Sequence, residues 1–221
     1  MNSIFAVYKP KGPTSFDIVA QIRKITGIKK VGHAGTLDPL AEGVLIIGVG
    51  REATKRLSEV VDKEKEYIAD IRLGMTSETD DEEKVHKVHK VHKVIKSDEI
   101  KNIIFKFIGV IDQIPPKYSA MKVGGKRAYK LARAGKEVKM ESRQVEIKEI
   151  EILEYEYPDL KLRVVTGPGV YIRALARDIG EALGTGAYLA GLVRTRVGGF
   201  SKNDCISLNS INNKSKISNS K

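Results

Sequence analysis

Apolar positions along the chain follow two different periods, and the changes between them mark the predicted elements. Alternation or short apolar runs predict strands at residues 4–8, 44–49, 67–73, 144–155 and 160–165, with a last candidate at 194–200. Helical spacing predicts helices at residues 15–26, 52–61, 97–108, 126–134 and 171–183. Strands and helices are mixed without a regular βαβ order, so we predict an α+β fold with a mixed, mostly antiparallel sheet flanked by helices.

Turn and capping residues refine these boundaries. Ser15 and Ser97 are each predicted to cap a helix, and Gly27 is predicted to end the first one. Residues 29–43 contain three glycines and are predicted to form mostly a loop. The alternation slips near Lys148, which indicates a β-bulge in that strand.

Two segments have unusual composition. Residues 84–95 repeat Lys-Val-His three times, with a period that fits neither a helix nor a strand, and we interpret residues 84–96 as a low-complexity insertion. A metal site formed by His86, His89 and His92 is the alternative, which the neighbouring lysines disfavour. Residues 207–221 are rich in Ser, Asn and Lys and are predicted to be a disordered tail. Residues 1–206 then form one domain.

Composition excludes several classes of protein. The single cysteine, Cys205, rules out an internal disulfide framework and a multi-cysteine zinc site. The longest apolar run, at residues 44–47, is too short to span a membrane, and the first ten residues lack a signal-peptide pattern. We therefore expect a cytoplasmic protein with no membrane association.

The net charge of +11 suggests a polyanionic partner. Residues 84–96 and 202–221 contribute +5 and +3, but we interpret both of these basic blocks as unstructured. Residues 115–143 carry nine Lys or Arg against two Glu, together with Tyr118 and Tyr129. Cations interleaved with aromatic rings suit phosphates and bases together, so this block is the better candidate for binding RNA.

The segment at residues 29–45, KKVGHAGTLDPLAEGVL, is the best candidate for chemistry. Asp38 lies before a proline, which holds its backbone extended, and a wholly apolar strand follows. Such a segment can present a carboxylate from a rigid support. From these residues alone, an Asp-Pro turn in which Asp38 bonds its own loop remains the ordinary alternative.

Six further stretches carry a family resemblance together with this segment. They are residues 9–15 (KPKGPTS), 50–55 (GREATK), 65–67 (KEY), 113–122 (QIPPKYSAMK), 169–173 (GVYIR) and 186–192 (GAYLAGL). In this order, over roughly residues 4–200, the chain resembles the TruB family of tRNA pseudouridine-55 synthases. Several dispersed motifs in one order are more specific than any one of them.

The resemblance implies that the chain isomerises uridine to pseudouridine at position 55 of the tRNA T-loop. Asp38 would be the nucleophile or proton-transfer group, acting at the sugar or at the base, and Arg173 would pair with it. Tyr67 would stack on the base and assist proton movement, while Tyr171 and Leu192 would contact the flipped nucleotide. The resemblance implies no cofactor, no metal and no obligatory protein partner, and we expect a monomer.

Base flipping and RNA binding complete the implied site. His33 would fill the gap that the extruded base leaves in the T-arm. Contacts to the RNA backbone are expected from residues that share a positive charge: Lys9, Lys55, Lys122, Lys126, Arg127 and Lys130. The tRNA T-arm is the expected partner, recognised by its shape and its phosphates.

The chain departs from the family pattern in three places. The family often has Leu-Arg-Arg where this chain has Leu192-Val193-Arg194, so one basic contact is expected to be lost. Residues 79–81 keep only part of a Thr/Asp-rich hairpin. The family's C-terminal RNA-binding domain is expected to be missing, which bears on tRNA affinity more than on catalysis.

The sequence leaves three other functions open. A non-catalytic RNA-binding protein on the same scaffold would not depend on Asp38. A guide-RNA-dependent pseudouridine synthase resembles the same motif but relies on protein partners. A glycoside hydrolase would need a second carboxylate, which the sequence does not identify.

Overall fold

The computed structural model describes residues 2–87, 95–208 and 210–211. The chain divides into two compact units, one of Met1–Ile68 with Leu192–Lys221 and one of Ala69–Gly191. We call them the first and second units. His89, His92 and most of the predicted polar tail lie outside the described residues.

The elements of the described part are as follows. The strands are β1 (Ser3–Lys9), β2 (Val31–Ala34), β3 (Ala41–Val49), β4 (Lys65–Leu73), β5 (Met75–Ser77), β6 (Val85–Lys87), β7 (Gly109–Gln113), β8 (Lys122–Val123), β9 (Lys126–Arg127), β10 (Arg143–Glu156), β11 (Asp159–Thr166), β12 (Ala187–Val197), β13 (Phe200–Ser201) and β14 (Cys205–Ile206). The helices are α1 (Ser15–Thr26), α2 (Arg51–Lys55), α3 (Ser58–Val61), α4 (Ser97–Ile104), α5 (Ala128–Arg133) and α6 (Ile172–Ala182), with 3₁₀ turns at Phe105–Phe107 and Lys202–Asp204.

The first unit is built around the buried strand β3. It pairs antiparallel with β1 and β2 and parallel with β12, in which Leu192 lies beside Ala41. Strand β14 pairs parallel with β1, and β13 pairs antiparallel with β12. Helix α1 packs Ile18 and Ile22 against Leu45 and other residues of the core. Every residue of β3 from Gly43 to Val49 is buried, which fits a wholly apolar strand with neighbours on both sides.

The second unit contains long antiparallel pairs. Strand β10 pairs with β11 on one side and with β7 on the other. A register shift between Ile147 and Glu149 places a bulge at Lys148, where the alternation was predicted to slip. Two small hairpins, β5 with β6 and β8 with β9, lie in the same unit. Most of these pairings are antiparallel, so the predicted α+β class is confirmed.

The structure does not support the predicted caps at the starts of α1 and α4. Thr14, not Ser15, caps α1: its hydroxyl accepts a hydrogen bond from the Asp17 N–H at 3.1 Å, and Asp17 accepts one in return from the Thr14 N–H at 2.8 Å. Ser97 is already the first helical residue of α4, and its neighbour Lys96 caps without a side-chain bond. The predicted end of α1 at Gly27 is confirmed, with Gly27 at φ 71°.

Four other predicted boundaries were wrong. The loop predicted at residues 29–43 contains β2, and the helix predicted at 52–61 is two short helices that are separated where Leu57 turns inward onto Gly48. The helix predicted from residue 126 begins only after hairpin β8–β9. Strand β12 begins seven residues before the predicted 194 and includes Gly191, where a Cβ would lie 2.8 Å from the Asp70 carboxylate.

Within the described ranges, no helix has the length and apolar character needed to cross a membrane.

Alanine substitutions at the starts of α1 and α4 are expected to change the free energy of unfolding by different amounts. Thr14→Ala removes a side-chain cap and should lower the free energy of unfolding by ~1 kcal/mol. Ser97→Ala removes no cap and should change it by less than about 0.5 kcal/mol, since alanine is the better helix former. Urea unfolding followed by circular dichroism measures both. Equal losses for the two variants would contradict this assignment of caps.

Candidate active site

Asp38 lies in the loop between β2 and β3, residues 35–40, which we call the Asp38 loop. Gly35 enters it at φ 68°, a left-handed conformation that favours glycine. The Asp38 carbonyl accepts a hydrogen bond from the Ala41 N–H at 3.1 Å, which closes a turn just before β3. Asp38 is half-buried, while Pro39 is exposed. The carboxylate therefore stands on a short turn at the start of a buried strand.

Ser15 at the start of α1 and Gly12 before this helix hold the residues on both sides of Asp38. The Ser15 hydroxyl donates to the Leu37 carbonyl at 3.0 Å and accepts from the Leu37 N–H at 2.9 Å. The Gly12 N–H donates to the Pro39 carbonyl at 2.8 Å. Ser15 and Leu37 are both buried. The KPKGPTS motif thus fixes the backbone before and after Asp38, a role that the capping prediction for Ser15 missed.

Lys9 does not fit its expected role as a contact to the RNA backbone. Its side chain is completely buried, and its ammonium donates to the carbonyls of Pro10 at 2.9 Å and Pro13 at 2.8 Å. Burial lowers the pKa of Lys9, and the nearby carboxylates of Asp38 and Glu42 oppose that shift. Lys9 therefore shapes the segment beside the Asp38 loop and places a buried positive charge near Asp38.

The first unit also contains three of the predicted nucleotide contacts. His33 lies in β2, half-buried, with Nδ1 buried and without a hydrogen-bond partner among the described residues. Tyr67 is 6% exposed on the apolar face of β4. Leu192 is half-buried in β12 and packs against the core cluster that contains Leu37 and Ala41. Their predicted roles toward RNA stay predictions.

Arg173 lies in the second unit, near the start of α6, and is 5% exposed. Its guanidinium donates to the Asp81 carboxylate at 3.1 Å, to the Thr79 carbonyl at 2.9 Å and to the Tyr118 carbonyl at 3.1 Å. A buried guanidinium needs such partners because removing it from water is costly. The predicted pairing of Arg173 with Asp38 stays a prediction.

The loop at residues 79–81 is the partner of two arginines, although the sequence showed only a partial motif there. Asp81 also accepts hydrogen bonds from the Thr79 hydroxyl at 2.5 Å and the Glu83 N–H at 3.1 Å. Asp80, at φ 61°, accepts one from Arg177 at 2.9 Å. Burial raises the pKa of Asp80 to about 6, against the opposing charge of Arg177.

Tyr171 is held by the QIPPKYSAMK motif. The Gln113 side chain is completely buried; its amide oxygen accepts from the Tyr171 N–H at 2.9 Å, and its amide nitrogen donates to the Tyr171 carbonyl at 3.2 Å. The Arg143 guanidinium lies over the Tyr171 ring, 5.1 Å from its centre. Tyr171 itself is half-buried at the start of α6. The backbone of Tyr171 is therefore fixed while its ring keeps an exposed side.

The other predicted backbone contacts are on the surface. Lys122, Lys126, Arg127 and Lys130 are exposed on hairpin β8–β9 and the first turn of α5. Arg127 also donates to the Ala120 carbonyl. Lys55 forms an exposed ion pair with Glu52 at 3.1 Å. These cations are accessible to phosphates, in contrast to Lys9.

The predicted site residues divide between the units. Asp38, His33, Tyr67 and Leu192 belong to the first, and Arg173 and Tyr171 to the second. Within the described part of the chain, no group of three His, Cys, Asp or Glu residues is arranged to hold a metal ion. His86 instead lies 3.5 Å from Glu78.

The burial of His33 predicts an unusual titration. Burial lowers its pKa below 6.5, and the positive charge of Arg194 adds to that effect. The folded chain therefore binds this proton less readily than the unfolded chain, so protonation of His33 favours unfolding. The free energy of unfolding is expected to decrease as pH falls below 6.5. NMR titration of the imidazole protons, assigned with His33→Gln, should give a lower pKa in the folded protein than in urea. A higher value in the folded protein would contradict this environment.

Two family models match this chain, one after the other along the sequence. Residues 23–172 match the model of the TruB family pseudouridylate synthase (N terminal domain). Residues 173–220 match the model of the tRNA pseudouridylate synthase B C-terminal domain. The second match falls on residues that the sequence analysis divided between the catalytic domain and the tail.

Solved structures of related proteins share the fold. The chain is similar to one in the archaeal box H/ACA sRNP Nop10-Cbf5 complex, with 29% identity and a TM-score of 0.70, and to one in a Cbf5-Nop10-Gar1 complex, with 34% identity and a TM-score of 0.69. These matches cover 98% and 90% of this chain but only 55% and 50% of those chains. The chain therefore spans about half the length of these solved relatives.

Similarity to curated relatives is stronger and covers most of both chains. The chain is 50% identical over 208 residues to tRNA pseudouridine synthase B of Phocaeicola vulgatus, which covers 91% of this chain and 88% of the relative. It is 46% identical over 212 residues to tRNA pseudouridine synthase B of Clostridium tetani, which covers 96% of this chain and 73% of the relative. The matched models and these identities show that the chain belongs to the TruB family of pseudouridylate synthases.

Proposed function

We propose that this protein isomerises uridine to pseudouridine at position 55 in the T-loop of tRNA, with Asp38 as the catalytic carboxylate. The bond from ribose C1′ to N1 of the base breaks and a bond from C1′ to C5 forms. The C5 hydrogen leaves as a proton, and N1 ends protonated. Because the reaction has no net redox change, the proposal includes no cofactor.

One observation carries this proposal: the Asp38 loop is bonded to the KPKGPTS motif on both sides of the carboxylate. A nucleophile is effective when it is already placed for attack, since orientation contributes much of the rate enhancement. An Asp-Pro turn with no chemical role would need no such double attachment. Membership of the TruB family supports the same reaction.

The remaining site residues are proposed to interact with the Asp38 carboxylate or with the target nucleotide. Arg173 would pair with Asp38 and keep it ionised; the bonds to Asp81 and Tyr118 already fix the guanidinium. Tyr67 would stack on the base and assist loss of the C5 proton, and Leu192 and Tyr171 would contact the flipped nucleotide. Uncharged His33 would enter the stack, because a neutral ring is easier to bury there than a charged one.

The T-arm is the proposed partner. The exposed cations of hairpin β8–β9 and α5 suit phosphate contacts, which position an RNA without reading its sequence. Extruding the target base costs a few kcal/mol, which these contacts and the insertion of His33 would offset.

We further propose that the protein acts without a guide RNA or protein partner, as a monomer in the cytoplasm. The alternative is a guide-dependent enzyme like those in the box H/ACA complexes. Identity to the curated tRNA pseudouridine synthase B relatives reaches 50%, against 29% and 34% for the chains of those complexes. The higher identity favours the stand-alone enzyme.

Asp38→Asn tests the catalytic proposal. The purified protein alone should release tritium from a T-arm hairpin that contains [5-³H]uridine. Asp38→Asn should reduce release by at least about 10³-fold, since the amide is a poor nucleophile. Its affinity for the hairpin should stay within about threefold of the unsubstituted protein, because Asp38 makes no attractive contact with phosphate.

Asp98→Asn is the matched control, because its carboxylate is 93% exposed in the first turn of α4. It should retain full activity. Rapid turnover by Asp38→Asn would exclude Asp38 as the catalytic group. Tight RNA binding without turnover by the unsubstituted protein would favour the non-catalytic alternative, and turnover only with added guide RNA would favour the guide-dependent one.

Removing two lysines tests the RNA-binding surface. Lys126→Ala combined with Lys130→Ala should reduce the slope of log Kd against log salt by roughly one for each lysine, with kcat unchanged. Arg127 is left intact because it bonds to the Ala120 carbonyl. Lys101→Ala combined with Lys106→Ala removes the same charge from exposed positions elsewhere in the second unit and should leave the slope unchanged. Equal slopes for both pairs would place the RNA away from hairpin β8–β9.

A further inference from the structure

Arg194 is one of the largest completely buried side chains, with 2% of its surface exposed. It lies in β12, two residues after Leu192. The sequence suggested no role for it beyond the remaining half of an Arg-Arg pair. Removing a guanidinium from water is costly, so the contacts that offset this cost indicate what the residue does.

Within the described part of the chain, the Arg194 guanidinium donates two hydrogen bonds, one to the Asp38 loop and one to the strand that follows it. Nη2 donates to the Gly35 carbonyl at 2.7 Å, and Nε donates to the Val44 carbonyl at 2.8 Å. A Cβ on Gly35 would lie 3.3 Å from Nη1. The guanidinium therefore packs against the bare Cα of Gly35 and joins the backbone before Asp38 to the backbone after it.

The charge of Arg194 acts on the same group of residues. Burial is the main cause that lowers the pKa of His33 and Lys65, and the Arg194 charge adds to it in both cases. It acts in the same direction on Lys9, whose ammonium interacts with Asp38. Arg194 is thus a fixed positive charge among the groups that surround the Asp38 loop.

We propose that Arg194 is a positioning residue for Asp38, which holds the span from Gly35 to Val44 in a single geometry. This inference rests on the proposed uridine isomerisation. A guanidinium suits the task because its donors point in fixed, separate directions, so one side chain can bond two carbonyls. Lysine keeps the charge but presents a single nitrogen.

The experiment compares kcat and KM for tritium release from the T-arm hairpin. Arg194→Lys should lower kcat about 10- to 100-fold with KM within about threefold, because a small misplacement of a reacting group costs about that much in rate. Gly35→Ala should give a similar loss in kcat, since its Cβ crowds Nη1 and its φ disfavours alanine. The double variant should lose less than the product of the two single losses, as expected for residues in contact.

Arg196→Gln is the matched control, because Arg196 lies on the same strand and pairs with Glu64 at 2.6 Å rather than with the Asp38 loop. It should retain kcat. Thermal melting checks each variant, and Gly35→Ala decides the question if Arg194→Lys does not fold. An unchanged kcat, or equal changes in kcat and KM, would overturn the positioning role. Absence of turnover by the unsubstituted protein would instead overturn the proposed function.

Discussion

The Asp38 loop has no regular secondary structure, so its backbone polar groups need partners from outside it. Three neighbouring segments supply them: Ser15 at the start of α1, Gly12 before it, and Arg194 on β12. Each of these segments is itself fixed by pairing or packing with β1, β3 or the core under α1. The geometry of the carboxylate is therefore a property of the whole first unit.

The first unit contains several buried positive charges, and removing each of them from water is unfavourable. Lys9, Lys65 and Arg194 are all nearly or completely buried, and each donates hydrogen bonds to main-chain carbonyls. Burial lowers the pKa of Lys65 to about 8. Main-chain carbonyls satisfy the donors but carry no full negative charge, so the positive potential of the cluster is only partly neutralised. The Lys9 charge interacts with the Asp38 carboxylate, so part of this positive potential acts on the Asp38 loop.

The sequence predicted the elements of the fold better than the contacts between them. Periodicity found β1, β3, β4, β10 and β11 because each strand alternates or is wholly apolar. It missed the start of β12, because residues 187–193 do not alternate between apolar and polar, and Gly191 lies where Asp70 approaches the strand closely. Local rules also assigned the cap of α1 to Ser15. The hydroxyl of Ser15 instead bonds to Leu37, which is 22 residues away, and no local pattern encodes that contact.

In the candidate site, too, the sequence indicated individual residues better than the contacts between them. Family motifs indicated Asp38 and Arg173 as candidate site residues, yet gave no sign that Lys9 is buried or that Asp81 is a partner of Arg173. Both roles depend on burial and on residues distant in sequence. The sequence does not distinguish a surface lysine from a buried one. Their electrostatic effects differ, because water screens an exposed charge far more than a buried charge. The exposed lysines of hairpin β8–β9 can therefore attract a phosphate from solution, whereas Lys9 and Arg194 act only on groups that are already in place.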